Sequence, residues 1–173
     1  MKKIGVILSI IIIALMVVFG TTYKEVNKEY LRIHIRANSN AEIDQLVKYK
    51  IKDEIVVTIT PYIADCKNFD EVKLVLKENL TLIDSIANSV LVKNGFNYTA
   101  KSKLCNEEFP TRTYNGYTLE SGFYDALIVE LGLAQGDNWW CVVYPPLCFT
   151  NACNGSNVVY KSRILELIRN FKK

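Results

Sequence analysis

The spacing of apolar residues along the chain changes several times, and each change predicts a new element. From Tyr30 to Arg36 apolar and polar residues alternate with a period of two, which predicts a half-buried strand. Arg32, His34 and Arg36 form its polar face. The residues from Ala37 to Asn40 end this strand and supply polar side chains that can cap a following helix.

Two helices are predicted next. After Ala41 the apolar residues recur every four positions, which predicts an amphipathic helix that ends at Pro61. Its predicted buried stripe comprises Ile43, Leu46, Val47, Ile51, Ile55, Ile59 and Tyr62. Its predicted solvent face comprises Asp44, Lys48, Lys52 and Asp53. A second helix begins at Asn68, with Glu71 in the capping-box position, and ends at Asn94-Gly95.

Strand patterns replace the helical period after Gly95. Phe96 to Leu104 and Phe109 to Tyr114 alternate, and the acidic pair Glu107-Glu108 between them is interpreted as a solvated loop. Asn115-Gly116 is a hairpin signal, and Tyr117 to Leu119 supplies the returning arm.

Phe123 to Leu133 is apolar on both faces, which is typical of a central strand. An apolar run follows from Asn138, and a last helix is predicted from about Ser156. Because the strands cluster instead of alternating with helices, the fold class is α+β. We expect a mostly antiparallel sheet packed by two long helices and a C-terminal helix, after an N-terminal hydrophobic export or anchor helix.

The first residues predict export. Met1 to Lys3 is positively charged and Ile4 to Phe19 is nearly all apolar, the order that keeps the positive end in the cytoplasm. Residues 1–22 are therefore a signal peptide or a signal anchor, and both alternatives stay open. Residues 23–29 form a tether, and residues 30–173 form a single extracytoplasmic α+β domain. If the segment is retained as an anchor, residues 4–20 are the part that anchors the protein in the membrane.

The net charge and the absence of known catalytic motifs limit the classes of function that the sequence supports. The net charge of +3 includes Lys2 and Lys3, so the remainder carries +1, and no basic cluster suitable for nucleic acid is present. We find no nucleophile elbow, phosphate loop or zinc-protease motif, and we predict no metal, no cofactor and no catalytic residue. His34 is the one histidine in the sequence, and we expect it at the surface or in a hydrogen bond.

The five cysteines do not form a CxxC pair. Cys141 and Cys148 flank Pro145-Pro146, a turn that could bring the two thiols together, and we predict a bridge there. Cys66 and Cys105 offer a second pair.

Two adjacent tryptophans precede this turn. Trp139 and Trp140 can divide between the core and the edge of the sheet, or they can be exposed anchors for a partner.

Two blocks of the sequence resemble the stage II sporulation protein R family of endospore-forming bacteria. The first extends from Leu31 to Asp53 and contains Asn38, Ser39, Asp44 and Gln45. The second extends from Phe109 to Phe149 and contains Gly122, Asn138, Pro145 and Pro146. The chain departs from the family pattern at Glu120-Ser121, where Pro-Ala is usual, and at Ala134, where glycine is expected.

This resemblance implies an intercompartmental signal of sporulation. Such a protein is made in the forespore, is exported into the space between the two membranes, and triggers a membrane-embedded aspartic protease of the mother cell that processes pro-sigma-E. We predict partner contacts at Arg112, Tyr114, Trp139 and Trp140. The residues Asn38, Ser39, Asp44 and Gln45 fit a helix-entry device better than a contact surface.

Two other classes of function remain open at this point. One is an extracytoplasmic, cell-wall-directed enzyme that uses Cys141 or an acidic pair. The other is an adaptor module of a larger envelope complex.

Overall fold

A computed structural model describes residues 30–114 and 117–147, and its fold class is α+β. The described helices are α1 (Glu42–Ala64), α2 (Phe69–Glu78) and α3 (Leu80–Lys93). The described strands are β1 (Leu31–Arg36), β2 (Ala100–Phe109), β3 (Arg112–Tyr114), β4 (Tyr117–Leu119), β5 (Gly122–Leu131) and β6 (Asn138–Tyr144).

The main sheet has the strand order β2-β5-β1-β6. Strand β1 is parallel to β5 and antiparallel to β6, and β2 is antiparallel to β5. The sheet is therefore mixed: two of its three strand pairings are antiparallel, as expected, and the parallel pairing of β1 with β5 was not predicted. Helices and β2 lie between β1 and β5 in the chain, and a parallel pair needs such a long crossover. The prediction that β5 is a central strand is confirmed.

The three helices pack on one face of this sheet. The core there joins alternate residues of β1, namely Leu31, Ile33 and Ile35, to apolar residues of all three helices. The second face of β1 is buried as well, because Arg32 and His34 are 0% and 1% exposed. The prediction of a half-buried strand is therefore wrong.

Helix α1 is rotated relative to its predicted face. Ile43 and Leu46, predicted to be buried, are 60% and 57% exposed, and Tyr62 is also exposed. Asp44 and Lys48, predicted to face solvent, are buried. The helix also continues through Pro61 to Ala64, because Ile63 and Ala64 are buried in the core and hold its last turn in place.

The second predicted helix is divided into α2 and α3 at Asn79. Its start is confirmed, since the Asn68 side chain accepts a hydrogen bond from the Glu71 backbone N–H at 2.9 Å. At the break, the Asn79 side chain donates to the Val75 carbonyl at 2.8 Å. This local bond competes with continuation of the helical ladder.

The small sheet is a hairpin, formed by antiparallel pairing of β3 and β4. Its two arms were predicted, and their Asn115-Gly116 connection lies outside the described residues. Strand β2 continues without interruption through Glu107-Glu108, which contradicts the predicted loop at this position.

Several predictions fall outside the described residues. They are the leader and tether before Tyr30, the cysteine at position 148 and the helix after Ser156. No helix in the described ranges is long and apolar enough to cross a membrane.

Candidate interaction surface

The face of the main sheet opposite the helices carries a cluster that we call the aromatic face. It is made of Arg32, His34, Phe109, Tyr124 and Trp140. Because successive side chains of a strand point to opposite faces, Arg32 and His34 share this face. Strands β2, β5 and β6 supply the three aromatic rings.

Arg32 occupies the centre of the aromatic face. Its guanidinium carbon lies 4.3 Å from the centre of the Phe109 ring and 4.9 Å from that of Tyr124. Its Nη2 donates a hydrogen bond of 2.7 Å to the Tyr114 hydroxyl, which the β3–β4 hairpin contributes. Burial lowers the pKa of Arg32 below its usual value.

His34 is held between an aromatic ring and a carboxylate. Its ring stacks on Trp140 with centroids 3.6 Å apart, and its Nδ1 lies 3.0 Å from Glu107 Oε1. Burial lowers the pKa of His34, the side chains of Asn138 and Glu107 oppose this effect, and the charge of Arg36 lowers the pKa further. The prediction that His34 is hydrogen-bonded is confirmed, whereas the alternative prediction that it lies at the surface is wrong.

The Glu107 carboxylate belongs to an ion-pair network, not to a solvated loop. Arg36 donates to Glu107 at 2.5 Å and to Glu130 at 2.7 Å. Lys103 adds a 3.0 Å ion pair to Glu130. The network lies along one margin of the aromatic face and fixes the position of the His34 ring.

The structure brings together two of the four predicted contact residues. Tyr114 and Trp140 meet around Arg32 and His34, as described above. Arg112 is exposed on the hairpin, and Trp139 points to the other face of β6, where the Lys52 ammonium lies 5.7 Å from its ring centre. Both tryptophans are half-buried, one on each face of an outer strand of the described sheet.

A second polar cluster lies at the end of the sheet where β1 leads into α1, and we call it the loop clasp. Asn38 and Ser39 donate hydrogen bonds of 2.9 and 2.5 Å to the buried Asp44 carboxylate. Tyr98 donates a third bond of 2.6 Å. Gln45 donates to the Ser39 carbonyl at 2.9 Å. These contacts fit the predicted helix-entry role, although no side chain caps α1 at Ala41.

The other half of the loop clasp is the loop between β5 and β6. The Leu133 N–H donates to Asn38 Oδ1, and the Gly136 N–H donates to the Ala37 carbonyl, both at 2.9 Å. A Cβ atom at Gly132 would lie 2.2 Å from Asn38 Oδ1, and one at Gly136 would lie 2.2 Å from the Ser39 carbonyl oxygen. A side chain at Gly132 would therefore collide with the Asn38 side chain, and one at Gly136 would collide with the Ser39 backbone.

Two members of the loop clasp, Tyr98 and Lys48, could not be predicted from the sequence. The sequence pattern places Tyr98 only in a strand. Burial raises the pKa of Tyr98, and the hydrogen bond to Asp44 raises it further. Lys48 is buried and donates to Gln45 Oε1 at 2.6 Å and to the Asp137 carbonyl at 2.8 Å. Burial lowers the pKa of Lys48. Because the helical pattern predicts Lys48 on the solvent face of α1, the sequence does not indicate that it joins the loop clasp.

The cysteines show no nucleophile within the described residues. Cys66 and Cys105 are both free, so the second predicted pair does not form. Burial raises the pKa of the Cys66 thiol to about 11. Cys141 lies on the helix-covered face of the sheet, and His34 lies on the other face. The two side chains therefore cannot form a catalytic dyad. The partner predicted for Cys141 lies outside the described residues, and that bridge stays a prediction.

Comparison with known proteins assigns the chain to a family. The stage II sporulation protein R family matches residues 27–154. The chain belongs to this family. Stage II sporulation protein R of Bacillus subtilis (strain 168) is 35% identical over 128 residues, which are 74% of this chain and 57% of that relative. No solved structure matches the chain.

The family pattern can now be located in the fold. Its first block builds β1 and the α1 side of the loop clasp. Gly122 begins β5, Asn138 begins β6, and Pro145-Pro146 is buried after β6. The departure at Ala134 falls on a left-handed backbone with φ of 54°, where glycine is favoured.

Proposed function

We propose that this member of the stage II sporulation protein R family is an exported signal that acts by contact. It is made in the forespore and crosses the forespore membrane. In the intermembrane space it binds a membrane-embedded aspartic protease of the mother cell and activates it to process pro-sigma-E. The family match carries the proposal, because it covers the two sequence blocks that build the loop clasp and the aromatic face.

The chemistry of the described residues supports contact over catalysis. His34 is committed to Glu107 and Trp140, and Cys141 lies on the opposite face of the sheet. Glu107 and Glu130 are both neutralised by Arg36, so neither is an unpaired acid or base. A protein without a reactive group can still activate an enzyme if it binds the active arrangement more tightly than the inactive one.

The remaining parts of the proposal concern the chain outside the described residues. Residues 1–22 deliver the chain across the membrane, residues 23–29 link the leader to the folded part, and residues 30–173 form one extracytoplasmic domain. We propose that a Cys141–Cys148 bridge stabilises the turn at Pro145-Pro146. The seven residues of the tether reach ~25 Å at full extension, so an anchored form would keep the domain close to its own membrane.

Reconstitution in a non-sporulating bacterium tests this proposal. The full chain is co-expressed with the candidate protease and pro-sigma-E, and processing is followed by the change in size of the sigma factor. We expect processing with the exporting chain and none with a variant that lacks residues 1–22. Equal processing without this chain would contradict the proposal.

A paired substitution separates contact from thiol catalysis. Replacing Cys141 and Cys148 together by serine removes any nucleophile at either position. We expect lower stability with residual processing. Complete loss of processing from a chain that is still folded would support a thiol enzyme instead.

A further inference from the structure

The aromatic face contains buried donors that lack an acceptor. Arg32 is 0% exposed, and its Nε and Nη1 have no hydrogen-bond partner. Nη2 donates to the Tyr114 hydroxyl, and the Tyr124 side chain makes a smaller contribution to holding the guanidinium. The neighbouring His34 is 1% exposed, and its Nε2 has no hydrogen-bond partner of normal geometry, although the Asn138 side chain lies close enough to raise the pKa of His34. Two polar side chains of one strand therefore reach the same face with unused nitrogen atoms.

An unpaired guanidinium in this setting is expensive. Arginine stays charged at neutral pH, and buried charges are normally paired with an anion. The rings of Phe109, Tyr124 and Tyr114 offset part of the cost by cation–π attraction, but they accept no strong hydrogen bond from Nε or Nη1.

The carboxylates that lie near this face are engaged elsewhere. Glu107 pairs with Arg36 and His34, and Glu130 pairs with Arg36 and Lys103. Asp125 pairs with Lys73 on the helix side of the sheet. None of these three carboxylates contacts Arg32, so within the described residues no carboxylate supplies the missing acceptor.

We propose that Arg32 is the base of a binding site for a carboxylate, supplied by an acidic side chain of the partner protein. In the free chain the Tyr114 hydroxyl takes the place of one carboxylate oxygen on Nη2. The identity of the partner rests on the proposed function, whereas the site itself rests on the unmet donors. A guanidinium gives a carboxylate directed, charge-assisted hydrogen bonds, which match the planar geometry of this ligand.

The hairpin provides the entrance to this site. Tyr114 is on β3, and the hairpin strands have three residues each, a size that is marginally stable by itself. Leu119 packs against Val142 and Leu147 and anchors the second arm to the sheet. Tyr114 takes part in no pairing of the main sheet, so displacement of its arm would free Arg32 Nη2 and leave the main-sheet pairing intact.

Titration of the full chain in detergent micelles with small anions tests the site directly. The probes are N-acetylaspartate amide and acetate, with sulfate as the comparison anion, and the readout is the NMR signal of the Arg32 Nε–H. We expect a saturable shift with both carboxylates and a weaker one with sulfate. No saturable response to the carboxylates, in the wild type and in Tyr114→Phe, would overturn the proposal.

Two variants make the test specific. Tyr114→Phe keeps the ring and removes the competing hydroxyl, so we expect carboxylates to bind about tenfold more tightly. Arg32→Lys keeps the charge and loses the planar donors, so we expect binding at least about tenfold weaker, followed by tryptophan fluorescence. Lys77→Arg is the control, since it changes an exposed cation on α2, on the helix side of the sheet, and should change nothing. Equal binding by Arg32→Lys and the wild type would contradict the site.

The same variants separate this inference from the proposed function. If the chain binds carboxylates through Arg32 but never triggers processing, the site is supported and the proposed function is not. If Arg32→Lys loses carboxylate binding and still triggers full processing, the partner assignment is overturned. Joint loss of binding and processing, with an intact fold, supports both.

Discussion

At the scale of single residues, glycines set how closely the two halves of the loop clasp approach. Gly132 has a positive φ of 55°, and a Cβ atom there would meet Asn38 Oδ1 and the Tyr98 ring. Asn38 cannot move away freely, because it also bonds to Asp44 and to the Leu133 N–H. The glycine is therefore required by space as well as by conformation.

Gly132→Ala should destabilise the fold more than Gly95→Ala does. Gly95 has a similar positive φ of 79°, but nothing lies within 4 Å of a Cβ atom there. We expect Gly95→Ala to cost about 1 kcal/mol for its backbone conformation alone. Gly132→Ala should cost ~1–3 kcal/mol more because of overpacking, measured by urea unfolding. Equal losses for the two variants would show that the loop clasp is not tightly packed.

Asp44 should make stability depend on pH in the acid range. Burial alone would raise the pKa of Asp44, but hydrogen bonds from Ser39, Tyr98 and Asn38 outweigh it and hold the pKa below its usual 3.8. A depressed carboxyl pKa stabilises the fold above the unfolded value, and this contribution is lost as the pH falls through the folded value.

We therefore expect Asp44→Asn to lower the free energy of unfolding at pH 7 by ~2–3 kcal/mol. The loss relative to the wild type should shrink as the pH falls below 4. Asp53→Asn, which changes an exposed carboxylate on the same helix, is the control and should cost little at any pH. A constant difference between Asp44→Asn and the wild type across the acid range would refute this role.

At the scale of elements, α3 protects the outer edge of β2. The Asn88 side chain accepts from the Ala100 N–H at 2.8 Å and donates to the Ala100 carbonyl at 3.0 Å. The Asp84 carboxylate accepts from the Ser102 N–H at 2.6 Å. Side chains of a helix thus replace the missing neighbour of an edge strand, which would otherwise be free to pair with another chain.

Asn88→Ala should weaken this edge. It removes two hydrogen bonds to the β2 backbone, and we expect a loss of ~1–3 kcal/mol, with more aggregation on heating. Ser85→Ala changes an exposed side chain of the same helix and serves as the control. Calorimetry and light scattering measure the two effects. Indistinguishable behaviour of the two variants would contradict the protective role of α3.

The sequence predicted elements more reliably than it predicted their packing. The Asn68 cap, the hairpin arms and the central position of β5 each have a local signal, and all are confirmed. The prediction of the buried face of α1 was wrong because apolar residues such as Ile43, Leu46 and Val57 also lie on its exposed side. The sequence therefore defines no single apolar stripe. The parallel pairing of β1 with β5 joins distant segments and has no local signal.

At the scale of the whole molecule, the largest error has a functional consequence. The alternation in β1 predicted a solvated polar face, but Arg32 and His34 lie beneath rings from β2, β5 and β6. Each ring is distant in sequence from β1, so only the fold brings them together. Conversely, the two sequence blocks of the family are recognisable in the sequence alone, whereas their contact in the loop clasp depends on the fold.

Contact with the protease should occur on the aromatic-face side of the sheet. A photo-reactive benzophenone side chain placed at position 112, on the exposed hairpin, lies on this side. The same group at position 57, on the exposed surface of α1, lies on the helix side and is the matched control. Both variants are expressed in the reconstituted host with the protease and pro-sigma-E.

Cross-linking in that host is the most direct measurement of signalling by contact. We expect irradiation to join the chain to the protease from position 112 and not from position 57, while the position 57 variant triggers processing as the wild type does. Efficient processing with no cross-link to the protease from position 112, or cross-links only from position 57, would contradict the account.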